Sequence, residues 1–166
     1  MHQEILFPRE KAALYPLLAQ QIAALAKDSQ LLSTLANASA LLYEALPDIN
    51  WVGFYLASGD MLHLGPFQGR MACTQIPFGR GVCGTAAATR QVQVVQDVQR
   101  FPGHIACDSA SRSEIVLPIL VEGQVFGVLD IDSPSLNRFT EEDADGLTAF
   151  VASLTRSVDF AHGLLK

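Results

Sequence analysis

Two hairpins restrict this chain more than any other feature of its sequence. Ile49–Ala57 and Met61–Phe67 flank Ser58-Gly59-Asp60, and Ile115–Val121 and Gln124–Asp132 flank Glu122-Gly123. The flanking segments are apolar, and three of the four are rich in β-branched or aromatic residues, as half-buried strands are. Turns of two or three residues join antiparallel neighbours, whereas a parallel pair needs a crossover of about a dozen residues. The sheet is therefore expected to be mostly antiparallel, with further short strands around Cys73–Ile76 and at Gln91–Val95.

Side chains alternate across a strand, so each hairpin sorts its residues onto two faces. Trp51, Gly53 and Tyr55 share one face of the first strand, and Val52, Phe54 and Leu56 the other. In the last strand Val125, Leu129 and Ile131 share one face, and Phe126, Val128, Asp130 and Asp132 the other. Two aspartates on a largely apolar strand are costly if buried without partners. Following Phe126 and Val128, they point to a polar pocket rather than a solvated edge.

Helical patterns bracket these strands. Apolar residues from about Pro8 to Lys27 recur at helical spacing, with Pro16 a candidate kink or break. Asp28 or Ser29 is placed to cap a second helix through Leu46, which Pro47 ends. Thr140 and Asp143 form a capping-box pattern that opens a last helix to about His162, with Leu147, Phe150, Val151, Leu154 and Val158 as its stripe. A short helix is expected from Gly79-Arg-Gly-Val-Cys-Gly-Thr85 to about Thr89; lacking GxGxxG and a P-loop lysine, it is not a nucleotide cradle. The fold class is α+β, with the terminal helices on one sheet face and a loop-covered ligand pocket on the other.

A chain of 166 residues fits one domain. The net charge of −6 argues against a nucleic-acid binder, and no apolar run approaches the roughly 20 residues that span a bilayer. The N-terminus lacks the basic start and apolar segment of a signal peptide, so a cytoplasmic protein is expected.

The chemistry concentrates in Phe101–Glu114, a polar segment with Pro102 and Gly103 at its start that reads as a loop. It offers a thiol at Cys107, an imidazole at His104 and carboxylates at Asp108 and Glu114. With Cys73 and Cys83 the cysteines number three, which is no disulfide framework, and CxxC pairing is absent. Three chemistries compete. A cysteine hydrolase would use His104 as base. A zinc site would combine Cys73, Cys83, His104 and Cys107, at spacings that match no common finger. Redox chemistry needs one attacking thiol and another to resolve it, which three cysteines around one pocket suit best.

Asp48–Tyr55, Leu64–Gly69, Gly79–Ala86, Gly103–Asp108, Ser113–Pro118 and Gly127–Ser133 carry a resemblance over nearly the whole chain. The sequence resembles the free methionine-(R)-sulfoxide reductases, which are built on a GAF domain. The resemblance implies a single GAF-like domain over residues 1–166 and reduction of free L-methionine-(R)-sulfoxide to methionine. Cys107 matches the family's catalytic cysteine, Cys73 its resolving cysteine, and Cys83 a third thiol, auxiliary or packed. Trp51 and Tyr55 match substrate-pocket residues, and Glu114, Asp130 and Asp132 match its acidic group. No cofactor is implied; thioredoxin is the external reductant, and a homodimer is expected. Many GAF domains only bind small molecules, so a non-catalytic sensor is the alternative.

Elementary chemistry suits that assignment. A sulfoxide oxygen leaves poorly until protonated, and crowded, partly dry carboxyls keep a proton near neutrality. The same acids hold an α-ammonium, an aromatic wall suits a sulfur that becomes cationic, and backbone N–H groups of Ile105, Ala106 and Cys107 are candidate carboxylate donors.

Overall fold

The first hairpin forms as expected: β1 (Trp51–Ser58) pairs with β2 (Met61–Gly69). So does the second, in which β5 (Ser113–Val121) pairs with β6 (Gln124–Ser133) across Glu122 and Gly123, both at the positive φ of a type I′ turn. The computed structural model describes residues 6–27, 29–160 and 163–164. In it β1 pairs with β6 and joins the hairpins into one sheet, with the three-residue strands β3 (Gln75–Pro77) and β4 (Gln93–Val95) at its edges. The order is β3-β2-β1-β6-β5-β4, and every pairing is antiparallel. Cys73 lies just before β3 rather than in it, and Glu114 belongs to β5 rather than to the preceding loop.

Alternation sorts the faces with one exception. Val52, Phe54, Ile115, Leu117, Leu129 and Ile131 enter the core beneath the helices, while Trp51, Tyr55, Val116 and Val128 enter a second core opposite. Val125 and Phe126 exchange the faces expected of them: Phe126 packs on the helical core and Val125 on the other. The register shifts between Ile119 and Leu120, opposite these residues, and a shift of one reverses every side chain beyond it.

Three helices cover the first face: α1 (Lys11–Ala26), α2 (Leu31–Ala45) and α4 (Glu141–Ser157), whereas α3 (Gly81–Thr89) lies over the second. Pro16 sits inside α1 without ending it; burial of Leu14, Tyr15, Leu18 and Ile22 holds the helix across the missing hydrogen bond. At the start of α2, Gln30 is the N-cap, with no side-chain bond, so Ser29 does not cap; Asp28 lies outside the described residues. Helix α4 stops at Ser157, which leaves Val158 half-buried beyond it; His162, its expected end, lies outside the described residues. No helix among the described residues is long and apolar enough to cross a membrane.

Asp143 ties this layer together. Its fully buried carboxylate accepts from Lys11 Nζ at 2.7 Å, Tyr15 OH at 2.6 Å and the Thr140 N–H at 2.9 Å, with Arg138 Nη1 at 3.4 Å. Burial alone would raise its pKa; the bonds from Lys11, Tyr15 and Thr140, with the Arg138 charge, overcome that and lower it. Tyr15 reaches Asp143 because its ring crosses α4 at Gly146, where a Cβ would run into the ring. Gly costs about 1 kcal/mol against Ala inside a helix. Even so, Gly146→Ala is expected to lower the melting temperature, and Asp143→Asn to cost about 2–4 kcal/mol in urea unfolding at pH 7. The Asp143 contribution is present above the ordinary carboxyl pKa and lost as pH falls through the lowered one, so the two proteins should converge in acid.

Candidate active site

Strands β1, β5 and β6 lie side by side, and their register sets the polar face. Trp51 pairs with Asp132, Gly53 with Asp130, and Glu114 with Asp132. Residues on one face of adjacent strands are close neighbours, so alternation alone brings Glu114, Asp130 and Asp132 together. All three line one pocket with Tyr55, Ile76, Arg80–Cys83, His104, Ile105, Cys107, Asp108 and Ser111. The pocket retains about 30 Å³ of free space, room for about two water molecules.

Cys107 and Cys73 are joined by a disulfide, their Cα atoms 5.4 Å apart. The bond ties the loop before β5 to the segment before β3. Cys83 is the free cysteine, buried on α3, with Sγ 3.9 Å from Glu114 Oε1. The four-residue zinc set of Cys73, Cys83, His104 and Cys107 is thus not assembled, since two of its thiols are bonded to each other. A different group is: Cys83 Sγ and one oxygen each of Glu114 and Asp130 lie within 4.8 Å of one another.

The aromatic residues serve the cysteine segment as well as the pocket. Tyr55 OH donates to the carbonyl of Cys73 at 3.0 Å, and Trp51 Nε1 to the carbonyl of Arg70 at 3.0 Å. Trp51 stacks between Tyr55 and Phe67, at centroid distances of 5.9 and 5.3 Å. It fits there because residue 53 is glycine: a Cβ would collide with Phe67 and the indole. Trp51 therefore backs Tyr55 rather than lining the pocket itself, and Ala106 is also outside the lining. Ile105 does line it, packed against Gly81 at the start of α3. The Cys107 N–H, a candidate carboxylate donor, is bonded to the carbonyl of Ile105 at 3.0 Å.

Several participants carried no sequence signal of their own. Asn50 Nδ2 donates to Asp108 Oδ2 and Ser111 Oγ, both at 3.1 Å, anchoring the loop after Cys107 to the start of β1. Arg80, in the glycine-rich segment before α3, also lines the pocket. His104 Nε2 stands 3.9 Å from Glu114 Oε2, and burial lowers its pKa.

Burial dominates the electrostatics. It raises Glu114 well above the carboxylate range, and repulsion from Asp130 and Asp132 raises it further. Asp132 rises through burial and repulsion from Asp130 and Asp108, and burial lifts Asp130 to about 6 against bonds that favour its anion. Burial, then Asp130 and Glu114, push the Cys83 thiol well up. Asp130 Oδ1 finds no donor at all. The site can thus hold protons at neutral pH and has acceptor capacity to spare.

Such crowding costs stability with a defined sign. Each acid binds its proton more tightly in the fold than in the unfolded chain. The stabilisation is therefore complete below about pH 4, the unfolded value, and is lost as pH rises through the folded values, about 6 for Asp130. Asp130→Asn is expected to raise the melting temperature by several degrees at pH 7.5 and to gain nothing at pH 4, measured by calorimetry at both.

Comparison with known proteins agrees with this geometry. The model of the GAF domain matches residues 29–158. The chain is 61% identical to the free methionine-R-sulfoxide reductase of Escherichia coli over 134 residues, 81% of each chain. It is 46% identical to that of Saccharomyces cerevisiae, over 76% of this chain and 74% of the yeast protein. The crystal structure of the Neisseria meningitidis free methionine-R-sulfoxide reductase in complex with its substrate superposes with a TM-score of 0.89, at 47% identity and 95% coverage of both chains. The fold is the GAF fold, and the chain belongs to the free methionine-R-sulfoxide reductase family.

Proposed function

We propose that this protein reduces free L-methionine-(R)-sulfoxide to L-methionine, with Cys107 as the attacking thiol and Cys73 as the resolving one. The observation that carries the reading is the Cys73–Cys107 bond at the edge of a pocket floored by Glu114, Asp130 and Asp132, of which Glu114 holds its proton at neutral pH. Cys107 attacks the sulfoxide sulfur while a carboxyl delivers its proton to the oxygen. Glu114 is the candidate donor, because burial and its two acidic neighbours keep it protonated at neutral pH. Collapse releases methionine and leaves Cys107 as a sulfenic acid. The Cys73 thiol then attacks that sulfur, water leaves, and the disulfide forms; a dithiol reductant such as thioredoxin restores both thiols. Two thiols are oxidised for each sulfoxide reduced.

The pocket also explains selection for the free amino acid. Asp130, whose value of about 6 leaves it mostly ionised at neutral pH, is placed to accept from an α-ammonium through its unbonded Oδ1, with Asp132 beside it. With the Cys107 N–H already engaged, Arg80 is the better partner for the substrate carboxylate. A peptide-bound residue offers neither charge. The homodimer implied by the family resemblance and the expected cytoplasmic location are part of the same reading.

Cys107→Ser is expected to abolish methionine release even in a single turnover, whereas Cys73→Ser should release about one equivalent per enzyme and stall. Rapid-quench assays with separate R and S sulfoxides, free and peptide-bound, check both points. Steady turnover by Cys107→Ser, or equal rates on peptide-bound substrate, would refute the assignment.

A further inference from the structure

Cys83 has no part in the reaction just described, yet it is buried in the wall of the pocket. Its thiol is 4% exposed, on a helix wall facing the acids of β5 and β6. Its Sγ and single oxygens of Glu114 and Asp130 lie within 4.8 Å of one another, so one point can be near all three. The second, independent observation is Asp130, 6% exposed, whose Oδ1 has no donor although the residue lines the pocket. A buried acceptor left unpaired costs about 1–3 kcal/mol, which a cation between the three groups would recover.

We propose that the disulfide-bonded protein binds a soft divalent cation, Zn²⁺ or its reporter Co²⁺, through Cys83 Sγ, Glu114 and Asp130, with solvent completing a four-coordinate shell. One sulfur with two carboxylates selects these ions over Mg²⁺ and Ca²⁺, which take all-oxygen sets. As the metal–ligand bonds form, the Cys83 thiol and the Glu114 carboxyl release their protons to solvent. The free space of about 30 Å³ admits an ion with a bound water. His104, 3.9 Å from the other Glu114 oxygen, stands where it supports that carboxylate from behind.

The test uses protein oxidised to the Cys73–Cys107 disulfide, so that Cys83 is the single free thiol. Titration with Co²⁺ should give one equivalent of a near-ultraviolet thiolate-to-cobalt charge-transfer band, bleached by Zn²⁺. Cys83→Ser should lose the band, and Glu114→Gln should weaken binding at least tenfold. In case either variant fails to fold, zinc K-edge absorption of the wild-type complex gives an independent answer, with one sulfur at about 2.3 Å expected among lighter ligands. Absence of the band from wild type, its survival in a folded Cys83→Ser, or a sulfur-free zinc shell would overturn the proposal. None of these measurements contains sulfoxide, so their failure is separate from failure of the reductase reading.

Discussion

The period-two alternation of β1 and β6, held by their antiparallel register, governs the rest of this protein. It sends Val52, Phe54, Leu129 and Ile131 toward the helices and Trp51, Tyr55 and Asp130 the other way. Because β5 pairs with the far side of β6, Glu114 joins the same polar face from a distant part of the chain. A one-residue slip would put the acids into the helical core and the aliphatic residues into the pocket, so the hydrophobic effect itself enforces the site's geometry.

What could be read from the sequence follows the same division. The hairpins, the sides of β1 and the capping pattern at Thr140 were legible because local rules dictate them: short turns, strict alternation, side-chain caps. The acidic cluster was legible because Asp130 and Asp132 broke an otherwise apolar strand. Phe126 and Val125 were misassigned because the register shift opposite them depends on the pairing of two strands. Pro16 failed to break α1 because packing overrode propensity. Asn50 and Arg80 were passed over for another reason: a loop anchor and a lone guanidinium become visible only when distant segments meet. The roles of the three cysteines came from family resemblance, whereas the pairing of Cys73 with Cys107 is also a feature of the structure.

The molecule places two opposed electrostatic devices on the two sides of one sheet. On the helical side, Asp143 is saturated with donors and strengthens the fold as an anion. On the pocket side, Glu114, Asp130 and Asp132 are short of donors and oppose the fold as anions. This is the expected distribution when one layer supplies stability that the other expends on chemistry. The two responses to pH run in opposite directions, so the fold is best supported between them, in mildly acidic solution.

The sheet's outer strands have a consequence of their own. β3 and β4 are three residues long, and β3 ends at Pro77, which has no N–H to offer. Open edges are templates on which another chain can add a strand, and short, proline-blunted ones give such a visitor little to hold. The edges of this sheet thus disfavour edge-to-edge association with another chain. That protection matters most whenever a fold opens locally and its sheet edges meet other chains.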